Sequence, residues 1–178
     1  MSVDDLKALV RTVPDFPQPG IQFRDITTLI GHPQGLSASV AHIAKLAEAG
    51  GAQKIAGMEA RGFIFGAAVA VELGVGFLPI RKPGKLPVET IGIDYDLEYG
   101  TDRLEIDPAA VSEGERIIIV DDLIATGGTA LAAVSLLRMA KATVDHALFV
   151  IDLPDLGGGA KLRDAGVTVE VLMHFAGH

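Results

Sequence analysis

Apolar runs of strand length alternate with segments of helical spacing, which predicts an α/β protein: a twisted, mainly parallel sheet flanked by helices. Two observations carry that expectation. Residues 116–120 include Ile117, Ile118, Ile119 and Val120, a β-branched run typical of a strand buried on both faces of a parallel sheet. Further apolar runs at 54–58, 76–81, 144–152 and 167–173 are spaced by glycine turns and helix-length segments, as right-handed strand–helix–strand crossovers require.

Taken in order, residues 3–13 place Leu6, Leu9, Val10 and Val13 at helical spacing, and Pro14 ends that helix. Residues 14–20 carry three prolines that hold the chain extended, with Gly20 permitting a bend. Residues 21–26 then read as a short edge strand with Phe23 inward. Residues 35–49 form an amphipathic helix through Leu36, Val40, Ile43, Ala44 and Ala47, with His42 and Lys45 outward, and Gly50 and Gly51 end it.

Strand 54–58 runs straight into Glu59, Ala60, Arg61 and Gly62, and then into a helix through Ile64, Ala67, Ala68 and Val71 that Gly74 terminates. An arginine at a helix start opposes the helix dipole, so an anionic ligand is a sensible reason for Arg61. Strand 76–81 leads into Arg81, Lys82 and Lys85, three cations within five positions at a strand end, where open α/β sheets bind ligands. Residues 88–106 read as a long β-excursion or hairpin projecting from the sheet. Asp94, Asp96, Glu98 and Glu105 partly imitate a calcium loop, but Tyr99 stands where such a loop needs glycine, so calcium is discarded.

The chain is organised around residues 116–129. After the β-branched strand come Asp121 and Asp122, expected at its end, then a loop of Ala125, Thr126, Gly127, Gly128 and Thr129, then apolar residues at helical spacing. Glycines let backbone N–H groups converge on an anion, and the following helix N-terminus adds partial positive charge: this is a phosphate cradle. Asp121 and Asp122 would repel a phosphate, so they suit sugar hydroxyls or a nearby Mg²⁺. A ligand with a phosphate at one end and a ribose diol one step away fits both halves. Beyond it, a strand at 144–152, a break at Gly157, Gly158 and Gly159, a short helix over 160–165 and a last strand at 167–173 complete one domain, 1–178, with an appended N-terminal flap.

The 178 residues suffice for one domain with a sizeable core, and 49% hydrophobic against 21% charged residues marks a folded chain. A net charge of −8 argues against nucleic acid or an anionic membrane as partner, so a polyanionic ligand must meet local cations. The absence of cysteine excludes disulfide and thiol chemistry and suits a cytoplasmic location. No signal peptide or membrane span is expected. There is no Walker loop, no dinucleotide-binding Gly-x-Gly-x-x-Gly, no zinc spacing among the five histidines and no Gly-x-Ser-x-Gly elbow.

The stretch 116–129 resembles the phosphoribosyl pyrophosphate (PRPP) signature of the type I phosphoribosyltransferases. The blocks at 19–25, 59–63, 81–87 and 95–101 and the closing Phe175, Ala176, Gly177 and His178 are similar to the adenine branch of that family, over nearly the whole chain. The resemblance implies the type I phosphoribosyltransferase fold, with a hood over the base site at about 1–34 and a flexible lid at 88–106. It implies the reaction of adenine with PRPP to give AMP and pyrophosphate, in purine salvage, by a homodimer using Mg²⁺ held mainly by PRPP near Asp121 and Asp122.

By the same resemblance, Ala125, Thr126, Gly127, Gly128 and Thr129 would hold the 5′-phosphate, and Asp121 and Asp122 the ribose hydroxyls. Glu59, Ala60, Arg61 and Gly62 would form the pyrophosphate loop, with a cis peptide expected at Glu59-Ala60 and Arg61 contacting pyrophosphate as a catalytic residue. Arg81, Lys82 and Lys85 would contact pyrophosphate from this or a neighbouring subunit. Adenine would lie near Phe23 and Leu123 and be read by backbone groups around Gln22 and Arg24. Closure of the lid would bring Glu98 and Tyr99 to the site, with Glu98 handling a proton on the purine. Ala60 stands where relatives often carry serine, which touches only a secondary phosphate contact. The rival readings are a purine phosphoribosyltransferase with another base, which residues 20–26 disfavour, and a PRPP-sensing regulator, which would need a nucleic-acid-binding part.

Overall fold

The computed structural model describes residues 1–97 and 99–177. Glu98 and His178, both named in the sequence analysis, lie outside the described residues. A five-stranded sheet forms the centre, from β3 (Lys54–Met58), β4 (Gly76–Ile80), β7 (Ile117–Ile124), β8 (His146–Asp152) and β9 (Thr168–His174). Its spatial order is β4-β3-β7-β8-β9 and every neighbouring pair is parallel. Among these five strands the chain moves outward in one direction from β3 to β4 and in the other from β7 to β9. The order therefore reverses between β3 and β7. In open α/β sheets the carboxyl ends at such a reversal splay apart and leave a crevice.

The sheet separates two apolar layers. On one face, α1 (Val3–Leu9), α2 (Thr27–Ile30), α3 (Pro33–Ala49) and α4 (Arg61–Leu73) bury Leu6, Leu29, Ile43 and Phe65 against Ile118, Val120 and Leu148. On the other, α5 (Gly128–Met139) and α6 (Gly158–Asp164) bury Val134, Leu137 and Leu162 against Ile117, Ile119 and Phe149. Both faces of β7 are thus covered, which is why its residues are apolar without alternation.

Besides the short helix α2 and an earlier start of α6 at Gly158, two differences from the sequence expectation bear on the site. The first helix ends at Leu9, not at residue 13, and the chain continues as β1 (Arg11–Pro14), antiparallel to β2 (Gln22–Asp25). Val10 and Val13 fit a helical period, but Thr12 and Val13 also suit a strand, and pairing Val13 with Phe23 decides for the strand. Strand β7 also does not stop before the acidic pair; it runs through Asp121 and Asp122 to Ile124. The alternation inverts across the pair, since Ile118 and Val120 pack with Leu123 on one face while Ile117 and Ile119 pack with Ile124 on the other. Asp122 N–H turns to Asp121 Oδ1 at 2.8 Å.

The 88–106 excursion contains an antiparallel hairpin, β5 (Ile91–Asp96) and β6 (Thr101–Ile106). Its base is not free of the body. Leu104 and Ile106 are fully buried, and Glu105 bridges Arg81 at the end of β4. Among the described residues, no helix is long and apolar enough to cross a membrane.

Candidate active site

The crevice at the β3/β7 reversal is a cleft of about 370 Å³. Three segments line it: the turn after β3 with Glu59, Ala60 and Arg61, the end of β7 with Asp121, Asp122 and Leu123, and the loop of Ala125, Thr126, Gly127, Gly128 and Thr129, with Lys82 at the side. Residues distant in the chain meet here because two parallel strands end side by side.

The Glu59-Ala60 peptide is cis, at the bond where the sequence expectation puts it. Glu59 points back into the protein. Its Oε1 accepts the Lys82 backbone N–H at 2.8 Å and Arg81 Nε at 3.0 Å. The Lys82 N–H, aided by the Arg81 guanidinium, holds the Glu59 carboxyl below its usual pKa, so this carboxylate fastens the end of β4 to the turn after β3. Arg61 opens α4 and donates from Nε to Asp122 Oδ2 at 2.6 Å.

Asp121 and Asp122 differ in environment. Burial pushes the Asp121 carboxyl well above its usual range, and the adjacent Asp122 charge adds to the rise. Gly62 makes the room, because a Cβ there would stand 2.9 Å from Asp121 Oδ1. The loop after β7 turns through Gly127, whose φ of +84° an L side chain adopts only with strain. Gly128 then opens α5, so the first-turn N–H groups of a twelve-residue helix face the cleft mouth.

Lys82 is held by the β5–β6 hairpin. Its ammonium pairs with Asp102 and lies 3.4 Å from Tyr95 Oη, and Thr129 Oγ1 reaches the same Tyr95 hydroxyl at 3.5 Å. Burial opposes the Lys82 charge, but Asp102 and Tyr95 outweigh it and keep its pKa above the ordinary lysine value.

Of the residues singled out in the sequence, Glu59, Ala60, Arg61, Lys82, Asp121, Asp122, Leu123, Ala125, Thr126, Gly127, Gly128 and Thr129 therefore converge. Arg81 stands behind the cleft, bonded to Glu59, with its guanidinium carbon 5.8 Å from the Phe63 ring centre. Lys85 and Tyr99 are exposed outside the lining residues. Gln22, Phe23 and Arg24 lie on the β1–β2 hairpin. Phe23 meets Phe16 edge to face at 5.3 Å, and Arg24 donates to Thr12 Oγ1 at 2.6 Å and to Ala176 O at 3.1 Å. Because Ala176 comes after β9, that contact sets the hairpin at the carboxyl edge of the sheet, the same edge as the cleft. Tyr95 and Asp102 carry no assigned role in the sequence reading. The cross-strand pairing of Tyr95 with Asp102 is the signal a hairpin register could have supplied.

Residues 32–169 match the model of the phosphoribosyl transferase domain. An adenine phosphoribosyltransferase of Novosphingobium aromaticivorans is 73% identical over 178 residues, covering all of both chains. The chain belongs to the adenine phosphoribosyltransferase family. Solved members share the fold: the crystal structure of the Thermoanaerobacter pseudethanolicus adenine phosphoribosyltransferase superposes with a TM-score of 0.93 at 46% identity, over 98% of this chain and 100% of that one. The Saccharomyces cerevisiae adenine phosphoribosyltransferase, solved with D-2,5-dideoxy-2,5-imino-altritol 1,6-bisphosphate and adenine, superposes with a TM-score of 0.89 at 39% identity, over 96% and 98% of the two chains. This phosphoribosyltransferase therefore has its cleft where a type I fold reverses its strand order, with a cation, an acidic pair and a glycine loop at one strand junction.

Proposed function

We propose that this cleft transfers the 5-phosphoribosyl group from PRPP to adenine, giving AMP and pyrophosphate. The observation that carries the reading is the meeting of the Arg61 turn, the acidic pair and the glycine loop at one crevice. The N–H groups of Thr126, Gly127, Gly128 and Thr129 take the 5′-phosphate, Asp121 and Asp122 accept from the ribose hydroxyls, and Arg61 and Lys82 face the leaving pyrophosphate.

As the bond from ribose C1 to pyrophosphate lengthens, negative charge gathers on the departing oxygens while the sugar becomes cation-like. Fixed donors aimed at that charge, in a cleft that holds both reactants in line, lower the barrier. Carboxylate oxygens at Asp121 and Asp122 are the donor type Mg²⁺ takes. Among the described residues no three Asp, Glu or His side chains gather into a metal cage. The two aspartates would therefore flank a magnesium carried mainly by the PRPP phosphates, where it supplies neutralisation of the leaving pyrophosphate.

Adenine is read from the β1–β2 hairpin, through backbone groups around Gln22 and Arg24, with Phe23 and Leu123 against the ring. Glu98 handles the purine proton when residues 97–100 close over PRPP. The enzyme acts as a homodimer: α4 exposes Ile64 and Val71, seven residues apart on one face, and Lys85 stands free of its own cleft. Sedimentation velocity at micromolar concentration should give a dimer mass, and a single monomeric species would remove the dimer. The deciding assay measures pyrophosphate release from PRPP and Mg²⁺ with adenine, hypoxanthine or guanine. Release with adenine alone is expected. Release with another base would overturn the specificity, and no release with any base would overturn the enzyme reading.

A further inference from the structure

An anion loop needs its N–H groups forward and its carbonyls behind. In the loop after β7 the rear is supplied by a segment about 30 residues downstream. Ile124 O accepts from Leu153 N–H at 3.1 Å, and Ala125 O accepts from Gly158 N–H at 3.0 Å. In a trans peptide the C=O and the next N–H point in opposite directions. Drawing Ala125 O back onto Gly158 therefore turns Thr126 N–H forward into the cleft that Thr126 lines. Among the described residues no backbone carbonyl accepts that N–H.

The contact is too close for any side chain. A Cβ on Gly158 would stand 2.5 Å from Ala125 O, 2.8 Å from Ile124 Cγ1 and 2.9 Å from Gly127 N. A Cβ on Gly127 would stand 2.8 Å from Gly158 Cα. Two glycines thus meet backbone to backbone, and neither can yield by rotating a side chain. Gly159, the next residue, offers a contrast: its Cβ would meet only the flexible end of Arg163, at 3.0 Å.

We propose that Gly158 is a positioning residue for the 5′-phosphate, holding the loop's carbonyl at the rear so that Thr126 N–H is aimed at the phosphate. The inference rests on reading residues 125–129 as the phosphate cradle. Gly158 touches no ligand and acts through Ala125 and Gly127.

The test compares AMP with adenosine by calorimetry, because the ratio of the two affinities isolates the phosphate. Wild type should prefer AMP. In Gly158→Ala that preference should fall about 10–100-fold, since a displacement of about 1 Å in a positioning contact has effects of this size. Adenosine affinity should change less than about threefold. Gly159→Ala should keep the wild-type ratio. An unchanged ratio in Gly158→Ala, or equal loss of both ligands, would overturn the proposal. A wild type with no preference for AMP would instead sink the phosphate-cradle reading. A second measurement needs no variant: on titration of the wild-type protein with ribose 5-phosphate, the Thr126 amide resonance should move while Gly158 N–H stays protected from exchange. A stationary Thr126 resonance would overturn the proposal even if Gly158→Ala does not fold.

Discussion

Arg61 Nε and Asp122 Oδ2 lie 2.6 Å apart, although the arginine side chain is 57% exposed and the aspartate only 6%. The pair joins the two strand ends that form the cleft. The buried carboxylate orients the arginine, while the exposed remainder of the guanidinium stays available to an anion.

Asp122→Asn should therefore lower kcat/KM for PRPP about 10–100-fold, the equivalent of about 1.5–3 kcal/mol for a charge-assisted contact. Removing the Asp122 charge should also lower the Asp121 pKa, since that charge is one cause of its rise. Steady-state kinetics and carboxyl NMR titration of Asp121 check the two halves separately. An unmoved Asp121 titration would show that the two aspartates do not interact.

Asp121 itself should be destabilising at neutral pH. Its folded pKa lies above the ordinary value of 3.8, so the folded protein binds the proton more tightly than the unfolded chain. By linkage, its contribution to stability is fully present below 3.8 and is lost as pH rises through the raised folded value. Asp121→Asn removes that penalty. Its melting temperature should exceed that of wild type at pH 8, with the difference shrinking towards pH 4, while PRPP turnover falls. Such an exchange of stability for function is common at binding sites. A variant less stable than wild type at pH 8 would contradict the sign.

Asp25 shows the opposite linkage. Its hydrogen bonds to Thr27 at the start of α2, and then its pairing with Arg11, lower its pKa to about 2. The stability it contributes is present above the ordinary 3.8 and lost as pH falls towards about 2. Asp25→Asn should flatten the acid limb of the stability curve in that window. Replacement by alanine should cost about 1 kcal/mol at pH 7, as for a lost hydrogen bond. Urea titrations from pH 2 to 7 measure both effects.

Much of this could be read along the chain wherever the signal is local. The β-branched run at Ile117 to Val120 specifies a doubly covered strand, and the turn residues 59–62 and loop residues 125–129 specify how the chain leaves β3 and β7. Non-local facts were less accessible. Val10 and Val13 fit a helical period while Thr12 and Val13 also suit a strand, and only Phe23, across the hairpin, chooses between them. The continuation of β7 through Asp121 and Asp122 depends on β8 alongside, where Asp121 pairs with Phe149 and Ile124 with Asp152. The partnership of Lys82 with Asp102 comes from the β5–β6 register, and the meeting of Gly127 with Gly158 from the packing of a distant turn.

The β5–β6 hairpin supplies the last prediction, because its two ends differ. Leu104 is 1% exposed in the core, whereas Tyr99 at the tip is 87% exposed. A segment that closes over a substrate must do so without breaking buried contacts, so a closing segment would comprise the tip rather than the whole of 88–106. Leu104→Ala should cost about 2–5 kcal/mol of stability, the usual range for a buried leucine. Tyr99→Ala should change stability by less than about 0.5 kcal/mol, as for most surface substitutions. If residues 97–100 close over PRPP, Tyr99→Ala should nonetheless lower kcat/KM for PRPP several-fold. Denaturant unfolding paired with kinetics separates the cases: full activity in Tyr99→Ala would remove Tyr99 from the closing segment, and a large stability loss would show that the tip is part of the folded body.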